Sequence, residues 1–341
     1  MRSTRKIRKT SGLLVVSTLS ILFLTWVPAV SLSAEKAIEW KLLSSWPSSD
    51  TNVRVFLLPF INAINEKAAG RLKISWVGPE AVPPFEQLKP LRGGLFDAGF
   101  TSPAYHLGEQ MGGDVMNLIP PQFGPRERRE AGLYKVLDEM YRKNQNITYI
   151  AAFGDCAGYE LILNKKIDKA DLKGLKIRTS PGYIPFVTSL GGSSVVVKPT
   201  DVYSAMERGV IDGLIFPHFA VLDNKMYEVA KYQVRPMFGE AVYPILVNLN
   251  SWNRLPKNLQ DLIVQTAIDL EIKTHEEMRL IFQKNEKALK DHGMMICQLP
   301  PKEAEKFADA WVEITMEEAI VKKTPEFGPR LKEIVTRMRK K

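Results

Sequence analysis

Residues 171–217 read DLKGLKIRTSPGYIPFVTSLGGSSVVVKPTDVYSAMERGVIDGLIFP. The stretch predicts a short strand over Leu175–Arg178, a Ser-Pro-Gly turn, a helix, a second strand over Ser194–Val197, another helix, and a third strand ending near Phe216-Pro217. Strands that alternate with helices argue for an α/β fold with a parallel sheet and covering helices. Arg178 falls where the first strand gives way to the turn. Ligands of open α/β sheets bind outside the carboxyl ends of the strands. A guanidinium at such a point presents a planar fork of donors, suited to a carboxylate or a phosphate.

The same grammar extends upstream. Ala37–Leu43 predicts a first strand, Asp50-Thr51 the cap of a helix running to about Ala69, Leu72–Val77 a second strand, and Phe96–Phe100 a third. Arg126–Lys143 predicts one amphipathic helix and Ile147–Phe153 a further strand, after which the chain crosses into a second lobe near 154–158, where Tyr159–Leu163 opens the new sheet. Two segments echo one another: RGGLFDAG at 92–99 and RGVIDGL at 208–214. Both place a glycine after a helix and an aspartate at the entry to a strand, and each strand runs into a proline loop, Ser102-Pro103 or Phe216-Pro217. Downstream, a helix is expected from Phe219 to about Ala230, and Val242–Leu249 is a buried strand. From Pro256 to Gly293 apolar residues recur at helical spacing with no internal Gly or Pro. A helix of that length spans roughly 50 Å, more than one small lobe.

The first 34 residues have five basic residues, then an apolar run from Leu13 to Val30 and small residues to Ala34, the layout of a secretory leader. Removing them lowers the formal charge from +9 to +4, a mild excess with no clustered patch, so no nucleic-acid partner is expected. A periplasmic location follows. Cys156 and Cys297 could then pair or remain as two buried thiols.

No motif assembles catalytic chemistry. His106, His218, His275 and His292 lack HxxxH, HExxH or Cys-paired spacing, and there is no G-x-S-x-G elbow, P-loop or G-x-G-x-x-G. His275 and His292 are expected to be exposed on the long helix, while His106 and His218 follow the echo strands and are expected to face the cleft. Asp97 and Asp212 sit in tight helix-to-strand turns and read as backbone caps rather than paired acids. No cofactor and no metal are expected.

LKGLKIR at 172–178, KPTDVY at 198–203 and VYSAMERGVIDG at 202–213 resemble the solute-binding subunits of TRAP transporters, and the likeness runs over nearly the whole chain beyond the leader. The resemblance implies a two-lobe periplasmic-binding-protein-like fold with a long helix spanning both lobes. Lobe I is expected over 35–155 plus about 218–255, lobe II over 156–217 plus about 293–341, and the long helix over 256–292. It further implies that Arg178 grips a ligand carboxylate, that the partners are TRAP integral membrane subunits driven by an ion gradient, and that the receptor is a monomer or weak dimer. Two family positions differ here. Tyr159 stands five residues before Asn164, where a second arginine is frequent, and Leu214-Ile215-Phe216-Pro217 replaces a Gln-Glu-Asn-Pro run. Both changes remove polar grip. The expected pocket is Arg178 with Tyr159, Phe216, Tyr105, Ser102, Trp46, Tyr243 and Glu86, and it suits a monocarboxylate with an apolar or aromatic body. Two rival readings are a periplasmic enzyme acting on a carboxylate, with His106, His218 or Glu86 as base, and a binding protein serving an ABC importer or a sensor.

Overall fold

Apolar runs bounded by Gly, Pro and Asp become strands, and their order along the chain builds two sheets. The computed structural model describes residues 37–340 apart from 107, 111, 121–122 and 155. The expected leader and the lobe boundary drawn at 155 lie outside the described residues. The strands are β1 Ile38–Ser44, β2 Leu72–Val77, β3 Ala98–Phe100, β4 Ile147–Gly154, β5 Tyr159–Leu163, β6 Lys176–Thr179, β7 Ser193–Val196, β8 Gly213–Pro217, β9 Tyr232–Arg235, β10 Val242–Asn248 and β11 Met295–Gln298. The first sheet has the order β2-β1-β3-β10-β4 and the second β11-β9-β5-β8-β6-β7. Both belong to one compact unit.

The parallel arrangement expected for the β-α-β units is present: β1 runs parallel to β2 and β3, and β6 parallel to β7 and β8. Each sheet is nevertheless mixed. β10 lies antiparallel between β3 and β4, and β5 lies antiparallel between β8 and β9. Topology explains this. The chain leaves the first sheet at the carboxyl end of β4, and β10 re-enters it at that end, so the two must run in opposite directions.

The echo has a structural counterpart. Asp97 accepts the Lys41 N–H on its carboxylate at 2.9 Å and donates its own N–H to the Lys41 carbonyl at 3.0 Å. Asp212 does the same with Lys176, both at 2.8 Å. Each aspartate therefore tacks a helix-to-strand turn onto the strand beside it, the capping role expected of both.

The long helix covers Lys257–Asp291, 35 residues, and is fastened to both sheets. On the first-sheet side, Glu271 takes Arg129 Nε at 2.9 Å and the Tyr134 hydroxyl at 2.8 Å, and accepts the Ala152 N–H. On the second-sheet side, Glu286 pairs with Arg235 of β9.

Several local expectations are corrected. Residues 126–143 do not form one helix: helices Pro125–Glu130 and Leu133–Gln145 are separated at Gly132, which has φ +89°. The helix after Phe219 ends at Asp223, leaving room for the unexpected β9. The range 218–255 is consequently divided, with β9 in the second sheet and β10 in the first. The C-terminal helix Gly328–Arg339 is tied to helix Leu133–Gln145 through Arg330 Nη1 and Glu139 Oε2 at 2.8 Å, so 293–341 does not keep to the second sheet. Cys156 and Cys297 are not joined to each other.

Candidate ligand-binding site

A narrow cavity of about 30 Å³, room for about two waters, opens where the carboxyl ends of β6 and β8 meet the loops after β1 and β3. Arg178, Tyr159, Phe216, Tyr105, Ser102, Trp46 and Tyr243 all line it. Glu86 does not: it ends a short 3-10 turn, Pro84–Glu86, exposed to solvent.

Arg178 is 2% exposed. Its Nε donates to the Val197 carbonyl at 2.9 Å and Nη1 to the Ile215 carbonyl at 3.1 Å. These two bonds, one to the residue just after β7 and one to β8, fix the plane of the fork. Nη2 is buried with no hydrogen-bond partner among the described residues, and no described carboxylate lies within ion-pair distance. Burial pulls the Arg178 pKa below the ordinary arginine value, while the neighbouring Tyr105, Tyr183 and Tyr159 phenols pull the other way. An arginine keeps its charge in proteins, and an unpaired buried charge costs several kcal/mol. This cation is held at a cost that an anion in the cavity would offset.

Aromatic rings form a large part of the wall. Trp46 stacks edge-on against Tyr243 at 5.1 Å and Phe100 at 5.5 Å, and lies tilted against Tyr105 at 5.6 Å. From the other sheet, Tyr159 packs against Tyr183 at 5.0 Å. Burial raises the Tyr105 and Tyr183 pKa values, so both phenols remain neutral donors.

Asp50, Asn52, Ser180, Tyr183 and Asn224 also line the cavity and were not expected there. Ser180 and Tyr183 follow Arg178 in the Ser-Pro-Gly-Tyr turn, so the strand-end rule could have found them. Asp50 had read as a helix cap. Asn52 is the cap, its Oδ1 accepting the Val53 N–H at 2.9 Å, which leaves Asp50 for the cavity. Burial, and then the Asp223 carboxylate, push the Asp50 pKa up to about 6.

The histidines expected at the cleft are elsewhere. His106 is buried behind the wall, 2.8 Å from the Thr101 hydroxyl, and burial pulls its pKa down to about 3. His218 is buried with Nδ1 3.0 Å from Glu160 Oε1. His275 is half-buried rather than exposed.

An arginine at a strand end in a ring-lined cavity between two mixed sheets is the arrangement that the motifs at 172–213 imply. Over residues 43–320 the chain matches the profile of bacterial extracellular solute-binding protein, family 7. The chain belongs to this family.

A monocarboxylate 2-oxoacid-binding periplasmic protein from a Nostoc species is 30% identical over 253 residues, which are 68% of this chain and 66% of that protein. A C4-dicarboxylate-binding periplasmic protein of Rhodobacter capsulatus is 29% identical over 128 residues, 36% of this chain and 38% of that one. The match thus spans just under two thirds of the first of these relatives and less of the second. The family 7 fold is shared with a TRAP periplasmic solute-binding protein of Desulfovibrio salexigens holding orotic acid, at TM-score 0.78 and 19% identity, covering 88% of this chain and 99% of that one. It is shared also with a TRAP solute-binding protein of Bordetella bronchiseptica solved with calcium and picolinate, at TM-score 0.77 and 19% identity, covering 89% and 93%. The fold class and the TRAP resemblance drawn from the motifs are borne out. Among the described residues, no helix is long and apolar enough to cross a membrane.

Proposed function

We propose that the chain is an exported receptor that captures an organic acid between its two sheets, with Arg178 as the anion anchor, and hands it to TRAP membrane subunits. The observation that carries this is the buried Arg178 fork, with no carboxylate partner among the described residues, directed into the cavity. Closure of one lobe on the other by hinge bending would bury the ion pair and create the surface that membrane subunits read. The ligand is a monocarboxylate. One arginine is among the described lining residues, Tyr159 stands where a second cation is frequent in the family, and aromatic rings share the wall with a few uncharged polar side chains. The name of the Nostoc relative, which binds monocarboxylate 2-oxoacids, supports the single-anion reading. The role is binding rather than catalysis: among the described residues Asp50 is the one carboxylic acid in the wall, and His106 and His218 are engaged behind it. The receptor would act as a monomer or weak dimer.

Thermal-shift titration tests this with four ligand classes: short 2-oxoacids, aryl carboxylates, C4-dicarboxylates and sugar acids. Stabilisation by the first or second class is expected. Stabilisation only by dicarboxylates or sugar acids would overturn the monocarboxylate reading, and no stabilisation by any of the four would overturn the receptor reading.

A further inference from the structure

Away from the ligand cavity, the segment that carries the chain from β4 to β5 meets the middle of the long helix. Cys156 lies in this segment with φ +59°, a left-handed conformation that non-glycine residues adopt under strain. Its Sγ is 2.9 Å from Nδ1 of His275. Glu240, just before β10, completes the group: Sγ, Nδ1 and one carboxylate oxygen all lie within 4.8 Å of one another. The Arg128 guanidinium occupies Glu240 Oε2, and the Cys156 N–H reaches Oε1 at 3.4 Å, a long and weak bond.

We propose that Cys156, His275 and Glu240 form a site for a soft divalent cation of the zinc class. A thiolate, an imidazole nitrogen and a carboxylate oxygen are the ligand types that this cation takes, with water completing a tetrahedron. Zinc bonds of about 2.3 Å to sulfur and about 2.0 Å to nitrogen or oxygen separate ligand atoms by about 3.5 Å. The Cys156–His275 pair, at 2.9 Å, must open slightly, and Glu240 already lies within 4.8 Å of both. The electrostatics are favourable despite Arg128. Glu127, Glu240 and Glu276 all act on the His275 ring, and a coordinated thiolate adds a fourth negative charge against one guanidinium. Cys156 and His275 are half-buried, leaving an entry path from solvent, while Glu240 is buried. The bound ion would fasten the crossing segment to the long helix, at the point where the chain passes between sheets.

Cobalt(II) and zinc titrations of the purified protein, kept reduced with a non-thiol reductant, test the site. Cobalt should give a thiolate-to-metal charge-transfer absorption at one ion per chain, and zinc should displace it. Cys156→Ser should abolish the absorption, His275→Gln should weaken zinc binding at least about tenfold, and Cys297→Ser should leave both unchanged. Saturating zinc should also slow alkylation of Cys156 in the unmutated protein, because a coordinated thiolate is no longer a free nucleophile, a readout that does not depend on any variant folding. An absorption that survives Cys156→Ser, or alkylation that zinc does not slow, would overturn the proposal.

Discussion

The guanidinium carbon of Arg178 lies 5.2 Å from the centre of the Phe216 ring, two strands of one sheet holding cation and ring together. A ring face attracts a cation and recovers part of the energy lost when the arginine leaves water. It cannot replace an anion. The pair explains how the chain tolerates a buried charge on β6 while no carboxylate among the described residues reaches it.

Replacing Arg178 by alanine should cost at least ~2 kcal/mol of ligand binding, because the ligand carboxylate would then be buried without its partner. The ligand-free protein should lose little stability, since an uncompensated buried charge disappears with the Val197 and Ile215 bonds. Calorimetric binding and thermal unfolding of Arg178→Ala check both. Unchanged affinity would remove Arg178 from the site.

Tyr105→Phe and Glu86→Ala should separate wall from bystander. The Tyr105 hydroxyl is near enough to Arg178 to affect its pKa, and its loss should weaken ligand binding by about 1 kcal/mol. Glu86 is exposed outside the cavity, so Glu86→Ala should bind as the unmutated protein does. Parallel calorimetric titrations decide the matter.

Asp50 should make both stability and binding depend on pH. Its pKa is raised from 3.8 to about 6 in the folded protein, chiefly by burial. Between those values the folded state holds a proton that the unfolded chain has released. Stability therefore falls as pH rises through this window, and the penalty is complete above about 6. An anionic ligand should bind more tightly below about 6, where Asp50 is neutral. Asp50→Asn should flatten both dependences, measured by unfolding midpoints and affinities across the window. A pH profile identical to that of the unmutated protein would count against this assignment.

The long helix should depend on Glu271 far more than on its surface pairs. Glu271 is buried against Arg129, Tyr134 and the Ala152 N–H. Glu271→Ala should cost about 3–5 kcal/mol, since Arg129 and the buried donors would lose their acceptor. Lys257 and Asp261 form an exposed pair at the start of the same helix, and Lys257→Ala should cost under ~1 kcal/mol. Urea unfolding of the two variants provides the comparison.

Much of the architecture was legible in residues close together in the chain. The strand-helix alternation of 171–217, the capping aspartates Asp97 and Asp212, the long helix, and Arg178 at a strand's carboxyl end all rest on local periodicity and turn chemistry. These act within a few residues and survive in a one-dimensional reading. The folded structure alone decided that Tyr232–Arg235 joins the second sheet, that Asp50 faces the cavity, that Glu86 does not, and that His275 meets Cys156. Each of those outcomes depends on which distant segments become neighbours, and on how burial then re-ranks polar groups that look alike along the chain.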